Sequence, residues 1–323
     1  MSLLADHLLP GSGETATRHE ARFRAMGTDC HLVVLGGTPE HLEVGELEIR
    51  RLESLWSRFL PTSDVGRLNA ADGAVVPVHP DTRLLLDRAV EARTRTDGWF
   101  DPFMARQLVD RGYDRDFGEL PPARPTDVEP GEDRPGIGEP MRHLAPIAIA
   151  RPDLDGHSPV RLLDGVGFDP GGIGKGLAAD LVAGCLAAHG VSGVLVNLGG
   201  DLRVLGDTPD GGWKVTIDDP MDRSQAPVAD VRLADCGLCT SSPLARRWRA
   251  PDGAAAHHVL DPRTGRPAVI SVASITVTAP AAWLAETLTT AVMLSGPTFG
   301  AALLRRAGAE ALVVDLEGQA GRL

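Results

Sequence analysis

Apolar residues recur at helical spacing over 38–59, "TPEHLEVGELEIRRLESLWSRF". There Leu42, Leu47, Ile49, Leu52, Leu55 and Trp56 make one stripe, and Pro39 suits a first helical turn. The same period predicts a second helix over 79–98 and a short third one within "WFDPFMARQLVDRG". Upstream, "ARFRAMGTDCHLVVLGG" (21–37) alternates as a strand or hairpin does, while "LPTSDVGRLNAADG" reads as turn chemistry. Further on, "IAIARP" and "PVRLLDG" are strand-like, and "LAADLVAGCLAAHG" is helical. "GVLVNLGGDLRVLG", "WKVTIDDP" and "APVADVRLADCGLCTSS" then read as successive strands with turns between them. "SITVTAPAAWLAETLTTAVMLSG" predicts a strand followed by a helix, and "PTFGAALLRRAGAEALVVDLEG" a helix followed by a strand. Strands and helices alternate too irregularly for a doubly wound sheet. The expected fold class is α+β, antiparallel sheets with packed helices.

Residues 1–20 read as a loose leader and 21–323 as one domain, with a Pro/Gly-rich surface excursion at 118–145. The 323 residues are 43% hydrophobic and 24% charged, enough apolar surface for a sizeable core. A net charge of −12 argues against generic nucleic-acid binding, which needs a basic surplus to neutralise phosphates. The N-terminus has no basic n-region, and Asp6 and His7 break its apolar run, so neither a signal peptide nor a lipobox cysteine is read there. No run approaches the roughly 20 apolar residues of a membrane helix. The expected compartment is the cytoplasm, with no membrane segment. Cys236 and Cys239 form a lone C-x-x-C within a strand-like run, which favours buried thiols over a zinc or redox site.

Three stretches could carry chemistry. "FDPGGIGKGLAAD" (168–180) is a glycine-rich turn before a helix, a place where backbone N–H groups and Lys175 could meet an anion. It fits neither a P-loop, since Asp169 stands where the first glycine belongs, nor the dinucleotide fingerprint, since Gly172, Gly174 and Gly176 strictly alternate. A tight turn with Lys175 in solvent explains it equally well. "AAHHVLDPRTGRPA" (255–268) places His257 and His258 on opposite faces of a strand, so one of them could serve a site as a general base. The competing reading is a structural histidine beside a D-P-x-T-G turn. "AETLTTA" (285–291) sets Glu286 and Thr290 on one helical face, hard-oxygen ligation suited to Mg²⁺ or simply a packed helix start.

Taken in order, "MGT", "SDVGRLN", "GWFDP", "DPGGIGKG", "NLGGD", "TSS", "HVLDPRTG" and "ETLTT" resemble the motif series of the ApbE family, the FAD:protein FMN transferases, from Met26 to about Leu294. The resemblance implies an ApbE-like fold and a Mg²⁺-dependent enzyme with FAD as substrate. Such an enzyme cleaves the FAD pyrophosphate and attaches FMN through a phosphoester to a Thr or Ser hydroxyl of an acceptor flavoprotein, releasing AMP. By motif match, His258 takes the base role. Gly172 (through its carbonyl), Glu286 and Thr290 take the metal. Met26, Phe59, Trp99, Phe100, Asp101, Asp169, Lys175 and Leu260 contact the flavin dinucleotide. Three residues depart from the family pattern: Glu286 replaces an aspartate, Ser242 a glycine and Pro170 an apolar residue. Two other readings keep the same residues: a FAD pyrophosphatase giving FMN and AMP, and a non-catalytic FAD-binding protein.

Overall fold

The computed structural model describes residues 16–123, 146–153, 155–222 and 226–323. The chain opens with the hairpin β1 (Arg18–Ala25) and β2 (Thr28–Leu35), then helices α1 (Pro39–Trp56) and α2 (Asp64–Ala70), the short strand β3 (Val76–Val78), and helices α3 (Pro80–Arg95) and α4 (Ala105–Asp110). Strands β4 (Ile147–Ile149) and β5 (Ser158–Leu162) lead to α5 (Gly174–Ala188). Next come β6 (Gly193–Leu198), β7 (Asp201–Gly206), β8 (Trp213–Ile217), β9 (Ala229–Leu233) and β10 (Cys236–Ser241). Four short strands follow: β11 (Arg247–Arg249), β12 (Ala255–His257), β13 (Leu260–Asp261) and β14 (Arg266–Pro267). The chain ends with β15 (Val272–Ala279), α6 (Ala282–Ala307), β16 (Glu310–Asp315) and β17 (Ala320–Arg322).

Among the described residues the main sheet has the order β1-β2-β6-β7-β10-β15-β16-β17. Every neighbouring pair is antiparallel. Its central strands are covered on both faces, which explains their nearly continuous apolar sequence. Leu32 and Val34 of β2, with Val194 and Val196 of β6, join the large core under α1, α5 and α6. Val33 and Leu35, with Leu195 of β6 and Leu202 and Val204 of β7, pack on the other side against Trp213 and Leu233 of the β8–β9 hairpin. Cys236 and Cys239 of β10 fall in these two different cores. Burial pushes the Cys236 thiol up to about 11 and Cys239 well above the ordinary thiol range, so both behave as small apolar side chains. The mixed helix and antiparallel-sheet architecture is the α+β class the pattern predicts.

Several expectations need revision. Residues 64–70 are helical, not a turn: Ser63 accepts the Gly66 N–H at 2.8 Å as a helix N-cap. The helix needs glycine at 66, because a Cβ there would lie 2.1 Å from the Leu60 carbonyl oxygen. Strand β1 begins at Arg18, inside the stretch read as leader; residues 1–15 of that leader lie outside the described residues. So do residues 124–145 of the Pro/Gly-rich stretch, while its beginning holds a 3₁₀ turn at Phe117–Glu119 and a bridge from Pro122 to Trp248. The helices expected on either side of residue 296 run on as α6, kinked at Gly296 (φ 75°) before Pro297. Helix α6 is also long and apolar enough, by composition, to cross a membrane, contrary to the reading of the sequence. Its first three turns are buried against β10, β15 and α5.

Close backbone approach fixes how α5 meets α6. A Cβ on Gly176 would lie 2.5 Å from the Ala282 carbonyl oxygen and 2.8 Å from the Trp283 nitrogen. Asp180, one turn on, accepts both the Ala282 N–H (3.0 Å) and the Trp283 N–H (2.9 Å), capping a helix whose own N-cap residue, Ala281, cannot. Gly176→Ala is therefore expected to destabilise the protein by about 1–3 kcal/mol through overpacking. Thermal unfolding checks this; an unchanged midpoint would refute the close contact.

Candidate active site

One cleft of about 330 Å³ opens between the β1–β2 turn, the end of α1, the start of α5, the C-terminal end of β10, the β12–β13 junction and α6. All twelve residues that the motif match singles out line it: Met26, Phe59, Trp99, Phe100, Asp101, Asp169, Gly172, Lys175, His258, Leu260, Glu286 and Thr290.

Local chemistry explains how each wall is held. The β1–β2 hairpin turns through Met26 and Gly27, both at positive φ (52° and 68°), as a two-residue hairpin loop requires. Positive φ is unusual for a residue as bulky as methionine. Glu53 of α1 fixes it there by accepting the Met26 N–H at 2.6 Å. The Trp99–Asp101 run follows α3, where the Asp101 carboxylate accepts the Phe103 N–H at 2.9 Å and Arg93 Nε at 3.0 Å. Asn69, at the end of α2, donates to the Phe168 carbonyl (2.8 Å) and accepts the Phe168 N–H (2.7 Å), pinning the chain just before Asp169. Glycine is also needed at 172, where a Cβ would press to 2.9 Å from the Phe100 ring.

The floor is ionic. Lys175 Nζ, from the first turn of α5, pairs with Asp201 Oδ2 at the start of β7 and with Glu286 Oε1 on α6 at 3.0 Å. Glu286 Oε2 accepts the Gly176 N–H at 2.8 Å. Glu286 is 2% and Asp201 3% exposed, so one ammonium faces two buried carboxylates and leaves an excess of negative charge. Lys175 is not in solvent, as the turn reading had it. Within α6, Thr289 turns away: its hydroxyl donates to the Glu286 carbonyl at 2.7 Å and bonds Ser241 Oγ at 2.6 Å. Thr290 lines the cleft one turn beyond Glu286.

The donor set suits a hard divalent cation. Buried carboxylate, a hydroxyl one turn away and the carbonyl of a sterically required glycine are all oxygen ligands, and the local charge favours a cation. Among the described residues no three His, Cys, Asp or Glu side chains gather as a metal-binding group. A cation here would draw on Thr290 and the Gly172 backbone as well as on carboxylate.

The two histidines take different places. His257 is 5% exposed, with Nε2 3.0 Å from the Ala268 carbonyl and Nδ1 accepting the Val259 N–H at 3.3 Å. His258 lines the cleft, its Nδ1 3.5 Å from the Arg246 carbonyl. An Nδ1–H donated there leaves the Nε2 lone pair free. Burial first, then the Arg246 charge and His257, push the His258 imidazole down to about 3, so it is neutral at physiological pH. Behind it, the Leu260–Asp261 strand turns through Pro262–Gly265, with Arg263 clasping Asp261 and the Thr264 and Gly265 N–H groups donating to the Asp261 carbonyl.

Sequence reasoning missed five charged residues of this cleft: Glu53, Arg58, Asp116, Asp201 and Arg246. Asp201 closes the quoted "NLGGD" and could have been weighed there; Arg58 carries no motif signal. Ser242, in place of the family glycine, does not adopt positive φ. Its hydroxyl donates to the Ala273 carbonyl at 2.7 Å and accepts the Leu244 N–H at 3.2 Å, anchoring the loop that carries Arg246. Pro170 accepts the Ile173 and Gly174 N–H groups with its carbonyl, so the turn is made through its backbone.

Residues 26–313 match the model of the ApbE family. The FAD:protein FMN transferase of Treponema pallidum is 30% identical over 94% of this chain and 86% of its own length. Among solved structures, the ApbE protein of Thermotoga maritima superposes with a TM-score of 0.76 at 25% identity, covering 95% of this chain and 97% of that one. The apo form of the Pseudomonas stutzeri flavinyl transferase ApbE gives 0.73 at 27% identity, over 96% and 95%.

Proposed function

This chain belongs to the ApbE family and is a flavin transferase; from that premise we propose that it is a Mg²⁺-dependent FAD:protein FMN transferase acting on a Thr or Ser hydroxyl. The observation that carries this reading is the convergence of a neutral, cleft-lining imidazole and a buried Lys–carboxylate floor on one cavity, from segments far apart in the chain.

In this reaction the acceptor oxygen attacks the phosphorus of the FMN half. The P–O bond to the AMP phosphate breaks, and AMP leaves with that bridging oxygen. The hydroxyl proton passes to His258 Nε2, so the products are phosphoester-linked flavin, AMP and one proton. Gly172, Glu286 and Thr290 would hold Mg²⁺, which supplies Lewis-acid charge neutralisation at the diphosphate. Lys175 brings an ammonium to the same end of the cleft, where negative charge builds on the leaving phosphate. Arg246, beside His258, adds a second positive charge. The aromatic and apolar walls at Phe59, Trp99, Phe100 and Leu260 offer surface for planar rings.

The low pKa of His258 fixes the pH behaviour. The base must be neutral, and it protonates only below its pKa. No acid-side loss of kcat/KM from His258 is therefore expected between pH 5 and 7. A bound diphosphate anion stabilises the imidazolium, so the acid limb of kcat should lie at higher pH than that of kcat/KM. A kcat/KM limb at the ordinary histidine pKa would contradict this environment.

The functional test compares AMP release from FAD and Mg²⁺ with and without a candidate acceptor flavoprotein, alongside the acceptor's intact mass. The proposal expects AMP release that depends on acceptor and a matching gain of one FMN, lost when the acceptor's target Thr or Ser is replaced by Ala. Rapid AMP release without labelling would mean hydrolysis instead. FAD bound without turnover at any Mg²⁺ concentration would mean a binding protein.

A further inference from the structure

Arg58 sits just past the end of α1, buried in the cleft wall with only 7% of its side chain exposed. Four contacts fix its guanidinium. Nε lies 3.3 Å from Asp169 Oδ1, and Nη1 donates to the Tyr113 carbonyl at 2.8 Å. The group also lies 4.2 Å from the centre of the Phe59 ring and 4.4 Å from that of Tyr113. The remaining nitrogen, Nη2, is buried with no hydrogen-bond partner among the described residues. Two further cleft-lining residues, Trp56 and Trp99, also carry a buried indole N–H without a partner among the described residues. All three orphans are donors. Burying a donor without an acceptor is costly, and doing so on a charged group more so. The wall is thus arranged for a ligand that brings acceptors.

We propose that Arg58 recognises the isoalloxazine of the bound flavin, Nη2 donating a charge-assisted hydrogen bond to a carbonyl oxygen of its pyrimidine edge. This assignment rests on the flavin-transferase reading. Of the two ring systems in FAD, adenine offers only ring nitrogens as acceptors and an amine that is itself a donor. Isoalloxazine offers two carbonyl oxygens, and the edge bearing one of them gathers negative charge on reduction. A fixed guanidinium between aromatic rings suits that edge better than adenine. The Asp169 and Tyr113 contacts hold Nη2 in place before the ligand arrives, so little ordering entropy is lost on binding.

The test measures equilibrium binding of FAD, FMN and AMP, without Mg²⁺ or acceptor, to the wild-type protein, Arg58→Met and Arg58→Lys. The midpoint potential of the bound flavin is measured in parallel. Arg58→Met should weaken FAD and FMN by about tenfold or more while AMP stays within about twofold. It should also lower the potential of the bound flavin, because a positive charge near the reduced, anionic edge is removed. Arg58→Lys, which keeps the charge but not the planar fork, should lose affinity for FAD and FMN yet retain more of the potential than Arg58→Met. If Arg58→Met does not fold, the lysine variant carries the comparison by its selective loss of FMN over AMP. Unchanged FMN binding, an equal loss of FMN and AMP, or a loss confined to AMP would each overturn the assignment. A wild-type protein that binds neither FAD nor FMN would overturn the flavin reading itself. Normal FAD binding by Arg58→Met removes only the role of Arg58.

Discussion

Replacing His258 by alanine should lower flavin transfer by about 10²–10⁴-fold and leave FAD affinity within a few fold. The split follows from the geometry. His258 holds a free nitrogen at the cleft, while its other nitrogen is no closer than 3.5 Å to the Arg246 carbonyl. Its removal strips a proton acceptor without unpinning a wall. His257 supplies the contrast, because its imidazole bridges the Ala268 carbonyl and the Val259 N–H inside the protein. His257→Ala should lower thermal stability by about 1–3 kcal/mol, the cost of unpaired buried groups, and leave the stably folded fraction active. Single-turnover labelling of an acceptor, with FAD binding measured separately, distinguishes the two. Near-normal labelling by His258→Ala would remove it as the base.

Glu286→Ala has the second large effect, on the metal requirement. Glu286 ties three elements together, pairing with Lys175, accepting the Gly176 N–H and lying across from Asp201. Without it the floor keeps one carboxylate against one ammonium, and its attraction for a divalent cation falls. The Mg²⁺ concentration for half-maximal transfer should rise by about tenfold or more, with the orphaned Gly176 N–H costing about 1–3 kcal/mol in stability. Mn²⁺ titration followed by its paramagnetic signal reads the metal site independently of turnover. An unchanged Mg²⁺ and Mn²⁺ dependence would take Glu286 out of the metal site.

Much of the fold could be read from residue patterns because its main elements are long. The stripe on α1 repeats through Leu42, Ile49, Leu52 and Trp56, although Leu47, read as part of it, is 67% exposed. The alternation holds along β1 but gives way in β2 to a run buried on both faces. Helix α2 has seven residues, too few for a stripe, and the Ser63–Asp64 pair that caps it is equally at home in a turn. The strands β11 to β14 are two or three residues each and exist through pairing with partners, which no local pattern records. The site was legible as a series of motifs, and the structure brings those residues into one cleft. What the motifs could not give is the pairing. Lys175 faces Asp201 and Glu286 from separate elements, and Arg58 is held by Tyr113 and Asp169, all across long sequence separations.

The most direct measurement is a crystal structure of the His258→Ala protein, in which turnover is stalled, with FAD and Mg²⁺. The diphosphate should lie at the Lys175–Glu286 end of the cleft, with the ion on Glu286, Thr290 and the Gly172 carbonyl and the vacated position 258 facing the FMN phosphorus. A dinucleotide bound outside this cleft, or a diphosphate lying beyond reach of both Lys175 and position 258, would contradict this arrangement.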